Sequence, residues 1–510
     1  MGLLFIWVRL FSLQVIGHER YKALSDENRL RLLKLPAMRG NILDRTGKIL
    51  ATSEKIFIDE SGLKVEGYRR VYPEKGVAVH VIGSLGEVSG KESGLLTVNG
   101  KYQAGDLMGR SGLEGTFENT LRGKDGGWLL EVDHNGKMVR DMGKTSPVSG
   151  QAIKSTISLD LSKTAQDALG EKKGAVVVSD PRNGEVLVLV SSPGYDPNSL
   201  VENFENILAD KNLPLFNRAI SGTYPPGSVF KMVVTTAAID SGKVKPGFTV
   251  DDHGFIQVGS YRYSNWLFSK RGGVEGVVGF SRAITRSTDT FFYKVGEILG
   301  PETMGEYAGK FGYGKKTGID ISGEEKGLIP SVAWKKEEKN ENWYLGNSYH
   351  FAIGQDDLLV TPLQVNLMTN ILATRGKKCI PHLVNKSPEC EEVVISDIAL
   401  DIVNKGMVGA CSQGGTSFVF FDWNADKSRP QVACKTGTSE YVGENGKMKT
   451  HGWLTAFAPA DNPEISVTVL MEGGGEGSNV AAPVVRKILA KYYNVADNYP
   501  YDRIPREVGE

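Results

Sequence analysis

The chain has 510 residues, enough for two or three domains and a sizeable core. Lys plus Arg (60) balances Asp plus Glu (60), so the formal net charge is zero and the basic footprint of a nucleic-acid binder is absent. The four cysteines, Cys379, Cys390, Cys411 and Cys434, make no C-x-x-C pair, which argues against a zinc site or a thioredoxin-like motif. They read as small buried apolar side chains, with pairing left to the redox compartment. Residues 1–16, MGLLFIWVRLFSLQVI, are nearly all apolar around Arg9. A membrane helix needs about 20 such residues, so this stretch is expected to be part of a signal anchor. A soluble amphipathic helix is the other reading. No small-residue cleavage site follows. A charged helix is expected over 19–34, ended by Pro36.

Residues 17–150 are expected to form a glycine-containing, β-rich N-terminal domain. Asn99-Gly100 and Asn135-Gly136 are hairpin signals. A second domain is expected over 151–495. It opens with two β-rich runs around Pro181-Arg182-Asn183-Gly184, another hairpin signal. Helical patterns follow over 230–241, 279–299 and 362–374. Strand patterns return at 431–435, 452–458 and 465–471, and a helix is expected over 481–493. This order implies a sheet covered by helices, of α/β or α+β type. The polar tail, 496–510, is expected to be loose.

The chemistry starts at Tyr224-Pro225-Pro226-Gly227-Ser228-Val229-Phe230-Lys231. Two prolines and a glycine stop regular structure, and a helical run begins at once. Ser228 therefore sits near a helix N-terminus, where free N–H groups favour developing negative charge. Lys231 lies three residues on, one turn away on the same face. A serine needs a base to become a nucleophile, and a lysine serves when burial lowers its pKa. S-x-x-K alone is weak evidence: Ser61-Gly62-Leu63-Lys64 is a second copy, without a helix start before it. A plain helix cap is the competing reading for Ser228.

Two further motifs shift the balance. Ser287-Thr288-Asp289 is the single S-x-D or S-x-N between Ser228 and Lys435. Lys435-Thr436-Gly437-Thr438 ends a strand-like run, whereas Lys316-Thr317-Gly318 is followed by Ile319 and lacks the fourth hydroxyl. S-x-x-K, S-x-D and K-T-G in this order belong to penicillin-binding proteins and serine β-lactamases. Thr436 and Thr438 suit a substrate carboxylate, with Lys435 supplying charge. The N–H groups of Ser228 and Thr438 suit an oxyanion hole. Asp251, Asp252 and His253 form a tempting metal cluster, but without a second histidine at ligand spacing they read as a solvated turn.

With these motifs the chain resembles the class B penicillin-binding proteins over nearly its whole length. Met38-Arg39-Gly40-Asn41-Ile42-Leu43-Asp44-Arg45-Thr46-Gly47 is similar to their R-G-x-x-x-D-R-x-G signature. So are Gly109-Arg110-Ser111-Gly112-Leu113-Glu114-Gly115 and Leu121-Arg122-Gly123 in the N-terminal pedestal. Gly354-Gln355, Thr361-Pro362-Leu363-Gln364 and Gly415-Thr416 extend the likeness. Gly354-Gln355 departs from it by continuing into Asp356-Asp357. Asp289, followed by Thr290-Phe291-Phe292-Tyr293, resembles the elongation-type group, penicillin-binding protein 2.

The resemblance implies an antiparallel sheet with helical cover, an all-helical subdomain and a β-rich pedestal in which Arg39, Asp44 and Arg45 are structural. It implies a D-Ala-D-Ala transpeptidase acting through a Ser228 acyl-enzyme that β-lactams also form. Lys231 would be the base, with Ser287, Asp289 and Lys435 supporting, and Thr436, Gly437 and Thr438 binding substrate. No metal or organic cofactor is implied. The implied partners are peptidoglycan stem peptides, a RodA-like glycosyltransferase of the SEDS family, an MreC-like scaffold and the cytoplasmic membrane, with the catalytic domain on the periplasmic side. A division-type relative, a β-lactam sensor and a β-lactamase are the alternatives. The pedestal argues against a β-lactamase, and the single N-terminal apolar segment argues against a sensor.

Overall fold

The structure is a computed structural model and describes residues 2–60, 63–92, 102–443 and 446–504. The Asn99-Gly100 signal and the first two residues of the second S-x-x-K lie outside the described residues. The N-terminus is helical at Gly2–Phe11 and continues as a π turn, Ser12–Ile16. Leu3, Phe5 and Trp7 are exposed. No helix among the described residues is long and apolar enough to cross a membrane.

The charged helix stops earlier than its sequence suggests. It covers His18–Arg29, and Leu30–Leu35 is a strand. That strand pairs with Gly126–Val132, which in turn pairs with Met138–Thr145 around the Asn135-Gly136 turn. Leu33 and Leu35 enter a small core with Val65, Leu130 and Val132. Cross-strand burial overrides the helix preference of the leucines and lysine. A second sheet joins Leu63–Val71, Ile49–Glu60, Ile42–Leu43 and Ile153–Lys154 in that order, the last pair parallel.

Buried charge fixes the junction. Arg39 meets Glu114 and Glu118, both at 2.6 Å, and Arg70 meets Glu114 at 2.7 Å. Removing one partner of such a buried set leaves an uncompensated charge. Asp44 accepts from the backbone N–H groups of Thr46 (2.7 Å), Lys48 (2.9 Å) and Leu159 (3.4 Å). It thus ties the N-terminal part to the start of α1, Leu159–Leu169. Arg45 is half out in solvent, 3.4 Å from Glu185.

The larger domain is built on β1 (Gly174–Ser179), β2 (Val186–Ser192), β3 (Ala433–Val442), β4 (Met448–Ala458) and β5 (Ile465–Met471). Their order is β2-β1-β5-β4-β3, and every neighbouring pair is antiparallel. Val176, Val178 and Val188 pack with α1 and with α7, Ala482–Tyr492. On the other side Trp453, Phe457 and Leu470 share a core with Met232 of α2 (Lys231–Asp240) and Met368 of α5 (Pro362–Ala373). Burying each such side chain stabilises by roughly 1.5–3 kcal/mol. Strand β3 ends the sheet, so one of its edges has no neighbouring strand among the described residues.

Four further sequence expectations need correction. The helix expected over 279–299 is split, into α3 (Phe280–Arg286) and α4 (Asp289–Lys310, itself broken by a kink at Gly300 after the expected end), because Ser287 adopts a left-handed conformation, φ 57°. The strand expected over 431–435 runs on through Val442, since pairing with β4 outweighs its polar composition. The tail is held as far as Ile504: Arg486 Nε donates to Asp497 (2.8 Å) and its guanidinium lies over Tyr499. The four cysteines form two disulfides, Cys379–Cys390 and Cys411–Cys434. Cross-strand pairing brings the first pair together. The second joins β3 to the C-terminus of α6, Asp397–Ala410.

Candidate active site

Ser228 sits in a 3-10 turn, Gly227–Phe230, that runs into α2. Pro225 and Pro226 prevent an earlier helical start. Gly227 has φ 57°, and a Cβ there would lie 2.7 Å from the Thr438 carbonyl oxygen. Glycine is required both for the conformation and for the approach. Trp453 Nε1 donates to Pro225 O at 3.0 Å and fixes the preceding residue to β4. The half-buried Ser228 is therefore pressed toward the open edge of β3.

Lys231, one turn on, is fully buried. Its Nζ donates to Asp289 Oδ1 (2.6 Å), to the Ser287 carbonyl (2.9 Å) and to Ser287 Oγ (3.2 Å). Lys435 is also fully buried, and its Nζ reaches Ser287 Oγ (2.9 Å) and Thr436 O (2.9 Å). Burial lowers the Lys231 pKa, and the Asp289 carboxylate offsets only part of this. Burial, reinforced by the charge of Lys231, pushes Lys435 well below the ordinary lysine range. The left-handed turn at Ser287 is what aims one hydroxyl between two lysines. A continuous helix through 279–299 would not allow it.

On β3, Thr436 Oγ1 lies 2.8 Å from Thr416 Oγ1. A Cβ on Gly437 would lie 2.9 Å from Pro226 O, so glycine again permits the close approach of turn and strand. The Thr438 carbonyl accepts from Gln355 Nε2 at 3.0 Å, so it points away from β4. In an antiparallel strand a residue's N–H and C=O point the same way. The Thr438 N–H therefore faces the open edge, on the side of the Ser228 turn. All eight site residues singled out from the sequence thus lie on four adjoining pieces: the turn before α2, its first residue, the α3–α4 joint and β3.

Other parts of the site gave little sequence signal. Asp289 Oδ2 accepts from Trp266 N (3.0 Å), and Asp289 N donates to Asn265 Oδ1 (3.3 Å). Asn265 Nδ2 donates to Asp252 (3.0 Å), which also accepts from Thr290 Oγ1 (2.7 Å) and Glu275 N (2.9 Å). Burial would raise the Asp252 pKa, but these hydrogen bonds outweigh it and hold the carboxyl below its usual range. Only Asp251 and His253 are solvated as expected; Asp252 is buried. Among the described residues no three side chains are grouped to hold a metal ion. The second K-T-G lies in a loop where Thr317 N and Gly318 N donate to Glu324, at 2.6 and 3.1 Å.

Residues 174–490 match the penicillin binding protein transpeptidase domain, and residues 61–155 match the penicillin-binding protein dimerisation domain. The chain belongs to the penicillin-binding protein transpeptidases. The peptidoglycan D,D-transpeptidase MrdA of Escherichia coli strain K12 is 30% identical, over 94% of this chain and 90% of that relative. The structure of PBP2 from Helicobacter pylori in complex with MreC superposes with a TM-score of 0.78 at 26% identity, covering 91% of this chain and 99% of that one. A chain of a peptidoglycan synthase complex, described for coordination of polymerization and crosslinking, gives a TM-score of 0.79 at 28% identity, covering 98% and 97%. This penicillin-binding protein is therefore of the PBP2, elongation type, and its sheet-and-helix domain has the transpeptidase fold.

Proposed function

We propose that this penicillin-binding protein is a peptidoglycan D,D-transpeptidase of cell elongation and that Ser228 is its nucleophile. One observation carries the assignment: a single hydroxyl, Ser287 Oγ, bridges two buried lysines beside the turn that bears Ser228. In the first half-reaction neutral Lys231 takes the proton of Ser228 as its Oγ attacks the penultimate D-Ala carbonyl. Negative charge collects on the carbonyl oxygen at the N–H groups of Ser228 and Thr438. The proton passes through Ser287 to the departing D-Ala amine, and an acyl-enzyme remains. Lys435, Thr436 and Thr438 receive the terminal carboxylate, with Gly437 keeping the strand close to the turn. Asp289 orients Lys231 and moderates the charge of the lysine pair.

In the second half-reaction an amine on a neighbouring stem attacks the ester carbonyl. Lys231 accepts the amine proton, an amide forms, and Ser228 Oγ recovers its hydrogen. A β-lactam offers a carbonyl at the same place and acylates Ser228.

We propose the domain limits 17–150 for the pedestal and 151–495 for the transpeptidase, with 496–510 as a tail. Residues 1–16 would belong to a membrane anchor, with the catalytic domain on the periplasmic side. The exposed apolar face of Gly2–Phe11 supports this. The Helicobacter pylori complex with MreC supports an MreC-like scaffold, and the synthase complex of polymerization and crosslinking supports a polymerising glycosyltransferase, which we propose is RodA-like.

The test is labelling with fluorescent penicillin. Wild type should form a long-lived adduct, and Ser228→Ala should form none. Equal labelling of the two would overturn the nucleophile assignment. Rapid release of hydrolysed penicillin would favour a β-lactamase instead.

A further inference from the structure

Gln355 makes two hydrogen bonds that the catalytic assignment does not use. Its Nε2 donates to Thr438 O at 3.0 Å, and its Oε1 accepts from Glu440 N at 3.1 Å. Both partners lie on the open edge of β3. One residue earlier, Gly354 O accepts from Gly227 N at 2.8 Å, immediately before Ser228. A Cβ on Gly354 would lie 2.2 Å from Gly227 O, so the backbones touch. Residues 354 and 355 thus grip both walls of the site, the turn that presents the Ser228 N–H and the strand that presents the Thr438 N–H.

This grip is itself anchored. Gly354 N donates to Phe351 O and Gln355 N to His350 O, both at 2.9 Å, closing the end of the helix Leu345–Ala352. Phe351 stacks on Phe230, two residues after Ser228, with centroids 5.4 Å apart and planes within 8°. After the pair, Asp356 has φ 64° and Asp357 meets the buried Lys335 at 3.2 Å. Asp is among the few non-glycine residues that tolerate the left-handed region. The departure from the family pattern at Asp356-Asp357 keeps a sharp turn and adds a charge anchor behind it.

We propose that Gln355 is a positioning residue for the oxyanion hole: it holds the Thr438 N–H in register with the Ser228 N–H through the Gly354–Gly227 contact. This rests on the assignment of Ser228 as nucleophile. Gln355 touches no reacting atom. It acts by fixing the peptide plane that follows Thr438 and by saturating the Glu440 N–H, which closes the strand edge beyond Thr438. Oxyanion donors stabilise the transition state more than the ground state, so misplacing one slows acylation more than it weakens binding.

The test is stopped-flow acylation of the full chain by a chromogenic β-lactam, resolving the dissociation constant of the first complex from the acylation rate constant. Gln355→Ala removes both hydrogen bonds. Gln355→Glu keeps the shape and the acceptor but sets a carboxylate oxygen against Thr438 O. The acylation rate constant should fall by about 10- to 100-fold in Gln355→Ala and further in Gln355→Glu, below the loss for removing a donor outright. The dissociation constant should change by less than about threefold, as expected for a group that acts in the transition state alone. Rate constants within threefold of wild type in either folded variant would overturn the proposal. So would a loss confined to the dissociation constant. Acylation that survives in Ser228→Ala would instead overturn the nucleophile assignment, and this proposal with it.

Discussion

Lys231 and Lys435 share one hydroxyl: Ser287 Oγ lies 3.2 Å from the first Nζ and 2.9 Å from the second. Two buried ammonium groups at this separation disfavour each other's charge, and a neutral amine is what the first step requires. Acylation should therefore rise with pH through a lysine pKa below the ordinary value, since both groups are shifted down. Asp289 opposes that shift. In Asp289→Asn the rise should move to still lower pH, by about one unit or more. Acylation rates measured from pH 5 to 10 give the answer, and a rise displaced upward would contradict it.

Removing the shared hydroxyl should slow acylation by about 100-fold or more, the usual scale for a positioned proton-transfer group. Ser287 also sits at φ 57°, where glycine is unstrained. Ser287→Gly and Ser287→Ala should lose activity alike, while Ser287→Ala is the less stable by about 1 kcal/mol. Parallel acylation assays and thermal melts separate the two effects.

Acid should destabilise the fold through two histidines. His80 and His451 are buried, and burial pushes each pKa down to about 4. Between pH 6.5 and 4 the unfolded chain binds protons that these imidazoles refuse. Their contribution is complete above pH 6.5 and is lost as the pH falls toward 4, about 3 kcal/mol for each. His451→Phe preserves the stacking on Tyr441, 4.1 Å between centroids, and should flatten this part of the profile. Denaturant titrations at pH 7 and pH 4.5 provide the comparison.

The Cys411–Cys434 bridge closes a 23-residue separation. On the chain-entropy model, losing it costs about 3 kcal/mol. It also frees the segment that carries Thr416 against Thr436. Cys411→Ser with Cys434→Ser should therefore lower both the melting temperature and the acylation rate. Cys379→Ser with Cys390→Ser should affect the melt alone.

The motifs of the candidate site are legible because their spacing is local. Ser228 and Lys231 are one helical turn apart, and Lys435 through Thr438 lie on one strand. The joint at Ser287 was not legible, since nothing in AITRSTDTFF marks a left-handed residue. The roles of Asn265 and of Asp252, which reads as a turn residue, are not legible for another reason. They reach Asp289 only through tertiary hydrogen bonds, and an Asn-Trp pair in a loop has no pattern of its own. Thr361 and Gln364 belong to the resemblance, and they form a reciprocal helix cap at 3.2 and 2.9 Å. Leu30–Leu35 misled because its leucines suit either period, and only its partner strand decides.

An open sheet edge admits any extended chain, including a second copy of the same protein. Strand β3 carries that risk at its far end, where Glu440 and Val442 are exposed. The carboxamide of Gln355 occupies the stretch from Thr438 O to Glu440 N, while Lys435 Nζ already engages Thr436 O. These contacts flank the Thr438 N–H, so the carboxamide that steadies the strand also narrows where a second extended chain could pair with it.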